Sequence, residues 1–457
     1  MNRNNLPKPP KLIKMLGPSF ILLGLGLGSG EIILWPYLTS KYGMGIIWGA
    51  LLGITFQFFI NMEIERYTLI TGESVFVGLE KYLKKFSPIW FIFSTLLPWI
   101  WPGIIASSAI LFASILHINY SPIIPIILLL IIGIFLTLGP VIYKTQETFQ
   151  KTLIIIGVPF ILLLTFFLAK SNDWQALFNG LIAKGDGYFF LPTAIPLVTL
   201  LSAFVYSGAG GNLNLAQSFY IKEKGYGMGK YSGRITSILT GKKEKIELKG
   251  KPFEKNTKNL KLFKLWWKRM NLEHFFVFWL TGLLTMLFLS LLAFITTYGK
   301  DAGEGINFIL MESSTISSRT LPLVGASFLI VSALMLFSTQ FSILDATSRI
   351  MSENLVILSP KKFKISNLRS YYYLFLWFQI FAGILIFSLG ITEPLKLITI
   401  GAVLNAVAMF FYTGLILLLN NLSFKKPIKP LFFRNLILII VFFFYGLFVT
   451  ITLVNIF

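Results

Sequence analysis

Between Leu16 and Ser40 an apolar stretch carries Gly24, Gly26, Gly28, Ser29 and Gly30 at its centre, followed immediately by Glu31. A second stretch, Leu191 to Tyr220, is interrupted at Ser207-Gly208-Ala209-Gly210-Gly211 and resumes at Asn212. In hydrocarbon an interrupted backbone has no water to bond. Such an interruption persists only where protein wraps it or where it lines a water-filled site. Paired interruptions in the two halves of a membrane protein point to the binding site of a secondary transporter.

Composition agrees that lipid is the main solvent. Of 457 residues, 55% are hydrophobic and 13% charged, with mean hydropathy +0.75. A water-soluble chain carries about 25% charged residues. The absence of cysteine removes disulfides, thiolate nucleophiles and thiolate metal ligands together. The formal charge of +21 raises nucleic acid as a partner, but its distribution argues against that. With the N-terminus placed in the cytoplasm, 34 Lys and Arg fall on inner segments and 6 on outer ones. Omitting the long segment 221–271, the split is still 19 to 6. This is the positive-inside bias of a multi-pass membrane protein. A plasma-membrane protein is expected, its N-terminus retained in the cytoplasm behind no cleavable signal and its C-terminus outside.

Eleven apolar segments are expected, at 17–40, 43–62, 89–115, 122–142, 150–169, 189–220, 272–297, 322–345, 371–390, 396–421 and 432–457. Each holds the roughly 20 residues that cross a hydrocarbon core. With interruptions in the first and sixth, these imply a single all-α domain. It is built as a five-plus-five inverted repeat, 17–170 and 189–421, plus an eleventh helix at 432–457. Segment 221–271 is the one long basic cytoplasmic insertion. Its middle, 241–255, is expected to be flexible and to lie against anionic lipid. Trp266 and Trp267 are expected to anchor the interface.

Glu31 is the leading site candidate. About 14 residues precede it in the segment, some 21 Å of helix, which places a carboxylate deep in the membrane. It is expected either to bind a cation or proton, or to cap the following half-helix. In the sixth segment Tyr206 and Ser207 precede the interruption, Ala209 lies within it, and Asn212, Asn214, Gln217 and Ser218 follow. The amides and unwound carbonyls offer neutral oxygens, or else close the broken backbone. Ser338, Ser342, Asp345 and Arg349 form a polar stripe at helical spacing, either lining a pathway or forming an interfacial pair with helix-packing serines. Gln340 and Asn405 are lone polar residues in apolar runs, suited to site contact or an interhelical bond. Glu63, Glu65 and Arg66 close the second segment. No enzyme motif appears, and no cofactor is expected.

At these residues the chain resembles the Nramp (natural resistance-associated macrophage protein) divalent metal transporters of the amino acid–polyamine–cation superfamily. Leu16-Gly17-Pro18-Ser19-Phe20 resembles the family's Gly-Pro opening. Glu65 through Glu73 is similar to its Arg-to-Thr-Gly segment, and Asn212-Leu213-Asn214-Leu215-Ala216-Gln217-Ser218 to its Asn-Leu-x-Leu-His-Ser. The departures fall on the metal site. The family's Asp-Pro-Gly-Asn is Gly28-Ser29-Gly30-Glu31 here, and its Met-Pro-His-Asn is Ala209-Gly210-Gly211-Asn212. The ligand aspartate is thus Gly28, the ligand asparagine Glu31, the methionine Ala209 and a nearby histidine Ala216. The third and ninth segments lack the family's interior charges.

What remains is one carboxylate with amides, hydroxyls and carbonyls, a donor set suited to hard cations such as Mg²⁺, Mn²⁺, Ca²⁺ or Na⁺. The expected function is ion-gradient-coupled transport of a divalent cation, with protons as a possible coupling ion. Glu31, Gly28, Tyr206 and Asn212 would stand at the metal. Ser29, Gly30, Ser207, Ala209, Asn214, Gln217, Gln340, Asp345 and Asn405 would line the pathway. A small organic substrate and a non-transporting sensor are the alternatives, and the oligomeric state is left open.

Overall fold

The structure, a computed structural model, describes residues 5–138, 142–193, 195–233, 246–301, 303 and 305–456. Among the described residues every regular element is helical and no strand forms. Among the described residues nine helices have the length and composition to cross a membrane: Pro18–Tyr42, Met44–Thr71, Phe86–Ile115, Tyr143–Leu168, Thr257–Thr297, Pro322–Leu358, Ile365–Ser388, Pro394–Ser423 and Phe432–Thr452. The remaining two expected positions differ. The fourth holds the 16-residue helix Ile123–Leu138, and the sixth holds two short helices, Leu197–Val205 and Gln217–Lys224. Segments are numbered below by these eleven sequence positions.

The first segment is α-helical over Pro18–Gly26 and again over Trp35–Tyr42, with a π-helix, Leu27–Leu34, between them. The interruption is therefore a wide turn between two α-helical halves. Backbone bonding continues inside it, as the bond from Trp35 N–H to Gly30 O shows. A π turn inside an α-helix often marks a functional site. The sixth segment is truly broken. Gly208, Gly210 and Gly211 take φ of 141°, 72° and 51°. These are conformations that side chains with a Cβ rarely adopt, and a 3₁₀ turn, Gly211–Ala216, follows.

The basic segments gather at one end of the bundle, hereafter the basic end. There the seventh segment starts early, as Thr257–His274, and passes through a π turn, Phe275–Leu280, into Thr281–Thr297. Trp266 is no lipid anchor: it is 2% exposed, and its indole donates to Pro7 O at 2.6 Å. Trp267 lies under Arg66 and Arg434, 4.0 and 4.8 Å from their guanidinium carbons. Of the stretch expected to be flexible, 241–245 lies outside the described residues. The rest is seated: Gly250 N–H donates to Glu73 at 3.2 Å and Glu247 N–H to Ser232 O at 2.9 Å. The eighth segment runs to Leu358, well past the expected 345, so Asp345 and Arg349 lie inside the bundle.

Candidate functional site

The two interruptions meet through their glycines. A Cβ at Gly26 would stand 2.7 Å from the Gly208 carbonyl, and one at Gly30 would overlap the Tyr206 carbonyl oxygen. One at Gly28 would press on Thr339, 2.8 Å away. With hydrogen in place of each Cβ, two backbones pack directly against one another. Thr339 of the eighth segment stitches the π turn. It accepts from Gly28 N–H at 2.9 Å and donates to Gly24 O at 2.8 Å.

Gln57 of the second segment closes the break in the sixth. Its Nε2 donates to Val205 O at 2.9 Å, and its Oε1 accepts from Gly210 N–H at 3.2 Å. One amide thus serves one orphan acceptor and one orphan donor that the lost helical turn would have paired. The Trp35 indole donates to Ser207 Oγ at 2.8 Å, and that hydroxyl donates to Ala203 O. Gln57, Trp35 and Thr339 were missed in the sequence, although Gln57 is a lone polar residue within an apolar helix, the same signal that Asn405 gives, and Thr339 sits in the polar run Ser338-Thr339-Gln340.

Glu31 is fully buried, and among the described residues neither carboxylate oxygen has a hydrogen-bond partner. Oε1 faces Gly282 of the seventh segment, 3.3 Å from where a Cβ there would sit, and the Leu23 and Ile54 side chains crowd the same point. The carboxylate therefore faces the seventh and second segments, while its neighbour Gly30 meets the sixth. The Ser29 hydroxyl is buried without a partner.

The amides of the sixth segment are spread along the chain. Asn212 Nδ2 donates to Ser94 and Thr95 at 2.8 and 3.0 Å, Asn214 Nδ2 to the Tyr412 hydroxyl at 2.8 Å, and Gln217 Nε2 to Glu65 at 2.7 Å. Asn405 Nδ2 donates to the Tyr206 hydroxyl at 3.1 Å. In all four the amide nitrogen is bonded and the carbonyl oxygen is buried with no partner among the described residues. Asn405 and Tyr206 join beside Gly211, and Asn405 Cβ is 3.0 Å from a Cβ placed there. Ala209 is buried in the break and Gln340 in the eighth segment. Asp345 belongs elsewhere: it takes Arg349 Nε at 2.8 Å and the Tyr372 hydroxyl at 2.8 Å, while Arg349 also bonds Glu223. Among the described residues no group of three His, Cys, Asp or Glu is placed to hold a metal.

No family model matches the sequence, and no curated protein is similar to it by sequence. Solved structures are similar in fold. Mutants of the Eremococcus coleocola manganese transporter align with TM-score 0.69 at 12% identity, covering 99% of this chain and 90% of theirs. The fold is shared with that transporter. Mhp1, a nucleobase-cation-symport-1 family transporter with bromovinylhydantoin bound, aligns with TM-score 0.53 at 13% identity, over 92% of this chain and 81% of that one. MhsT in complex with L-phenylalanine aligns with TM-score 0.50 at 16% identity, over 96% and 98%. All three similarities cover 92% or more of this chain.

Proposed function

We propose that this protein is an ion-gradient-coupled secondary transporter of the Nramp type that carries a hard divalent cation by alternating access. The observation that carries the reading is Glu31, a membrane-buried carboxylate with both oxygens unpaired, one residue from the contact between the π turn and the broken helix. A carboxylate in that setting is costly to hold, which makes it a functional group by default. The Gly28 region, the Tyr206 carbonyl and Asn212 Oδ1 would add neutral oxygens, the donor type that hard cations take. Gly30, Ser207, Ala209, Asn214, Gln217, Gln340 and Asn405 would line the route, with Asp345 near its basic end. Because Glu31 faces the seventh and second segments, its gain or loss of a proton or ion would act on the Gly30–Tyr206 contact and couple charge to rocking of the broken pair. By the positive-inside rule the basic end is cytoplasmic, in the plasma membrane, with the C-terminus outside.

A small organic substrate is the second reading. It is favoured by the lack, among the described residues, of a three-ligand acidic or imidazole group.

Flux into proteoliposomes separates the two. Mg²⁺, Mn²⁺, Ca²⁺ and Na⁺ are each offered with and without a pH gradient, and labelled amino acids in parallel. Divalent flux is expected to fall by at least about tenfold in Glu31→Gln, while thermal stability in detergent holds or rises, since an unpaired buried charge is removed. Unchanged divalent flux in that variant removes Glu31 from the mechanism. Amino-acid uptake with no metal response overturns the cation reading.

A further inference from the structure

The basic end holds a run of buried titratable groups that the proposed ion site does not use. Gln217 Nε2 donates to Glu65 Oε1 at 2.7 Å, and the same oxygen lies 3.4 Å from His274 Nδ1. His274 Nδ1 is 2.8 Å from Ser19 Oγ, and the Ser19 hydroxyl donates to Glu273. The other Glu273 oxygen accepts from Gly17 N–H at 3.4 Å. Gly17 and Ser19 begin the first segment, Glu65 lies in the last two turns of the second, Gln217 opens the second half of the sixth, and Glu273 and His274 close the first helix of the seventh. The five side chains are at most 2% exposed.

Hydrogen-bond accounting limits the protons. With Glu273 ionised, the single Ser19 hydroxyl proton goes to Glu273, so Ser19 faces His274 as an acceptor and Nδ1 carries the ring hydrogen. Glu65 Oε2 and His274 Nε2 are buried without partners, the imidazole stacked between Phe58 and Phe278 at 5.5 and 4.7 Å. Other charged groups pack nearby but are engaged elsewhere. Lys224 of the sixth segment pairs with Glu147 of the fifth, and Arg66 and Arg434 pair with Glu63. The Tyr226 hydroxyl bonds Met15 O, and the buried Tyr143 hydroxyl makes no bond. Among the described residues no Lys or Arg makes an ion pair with Glu65 or Glu273.

Two buried carboxylates joined through one imidazole and one hydroxyl stay together only while the run holds a proton. Stripped of it, they are like charges out of water with no cation in contact. We propose that Gln217, Glu65, His274, Ser19 and Glu273 form a proton-held bolt that closes the basic end across segments one, two, six and seven, and that losing the proton opens the path to that side. The proposal rests on the alternating-access reading. Its sign is fixed: the closed state binds the proton more tightly, so low pH closes and high pH opens.

The chain has no cysteine, so one introduced thiol reports opening without reference to any transported solute. Ser218→Cys is fully buried on the basic side of the break. Its maleimide labelling rate in proteoliposomes, divided by that of the exposed reference Lys251→Cys, removes the thiol's own pH dependence. The ratio is expected to rise about tenfold between about pH 5.5 and 8.5, the change supplied by one pKa unit of difference between closed and open states. Glu273→Gln and Glu65→Gln each keep a hydrogen-bonding side chain and remove a charge, so each is expected to flatten the rise. A flat ratio in the parent, or a full rise in both Gln variants, overturns the bolt. A failed flux panel leaves this readout standing, and a flat ratio leaves the flux panel standing.

Discussion

Gly24 and Gly30 lie in the same segment, yet a methyl group would meet different things at the two positions. At Gly30 it would overlap the Tyr206 carbonyl oxygen and lie 2.5 Å from the carbonyl carbon, backbone atoms that cannot rotate away. At Gly24 it would meet the end of the Gln150 side chain, whose displacement breaks the hydrogen bond from Nε2 to Ser338 O but moves no backbone. Overpacking a fixed contact costs about 1–3 kcal/mol. Gly30→Ala is therefore expected to lower thermal stability in detergent and abolish flux, whereas Gly24→Ala lowers stability less and retains flux. Equal loss in both would mean that the backbone contact between the two interruptions is not what the glycines serve. The glycine run was legible in the sequence as an interruption. Which glycine meets backbone and which meets a side chain was not, because that depends on the partner segment.

At the scale of elements, a broken helix inside a bundle stands or falls by what satisfies its orphan backbone groups. Gln57 reaches from the second segment to Val205 O and Gly210 N–H. Leucine there fills a similar volume and leaves both groups buried and unpaired. Each unmet bond costs about 1–3 kcal/mol. Gln57→Leu is accordingly expected to destabilise the fold by about 2 kcal/mol or more, read as a lower melting temperature in detergent. A neutral result would place water or another side chain at those groups. The eighth segment makes a related point. Asp345 and Arg349 read in sequence as the end of a membrane helix, because charge ordinarily marks the interface. In the structure Glu223 and Tyr372 reach them from other segments, and the helix continues buried through Asn354. Satisfied charges allow a helix to run on where unsatisfied ones would have ended it.

For the whole molecule, the charge asymmetry is expected to orient the bundle. Single cysteines at Lys251, on the basic end, and at Lys184, on the opposite end, supply the check in a chain that has none of its own. Lys184→Cys is expected to react with an impermeant maleimide on intact cells, and Lys251→Cys only after permeabilisation. The reverse pattern would invert the orientation and move the proposed bolt to the outer face. Part of the basic insertion is more than an orientation signal. The helix Thr257–His274 holds the N-terminal strand of chain through Trp266 to Pro7 and Arg269 to Pro9, so the approach to the first segment is fastened to the seventh.

Sequence alone determined the solvent, the helical class, the two interruptions, the acid beside the first and the sidedness of charge. Each is a property of local composition, and the hydrocarbon core penalises exceptions to it steeply. Tertiary structure decided that the first interruption is a π turn, that Glu31 faces the seventh segment, and that Gln57 and Thr339 complete the broken backbone. It also brought Glu65, His274, Ser19 and Glu273 into one run from residues up to 255 positions apart. A lone polar residue in an apolar helix looks the same in sequence whichever neighbour it faces. Only the packing of the other segments determines which atom completes its hydrogen bond.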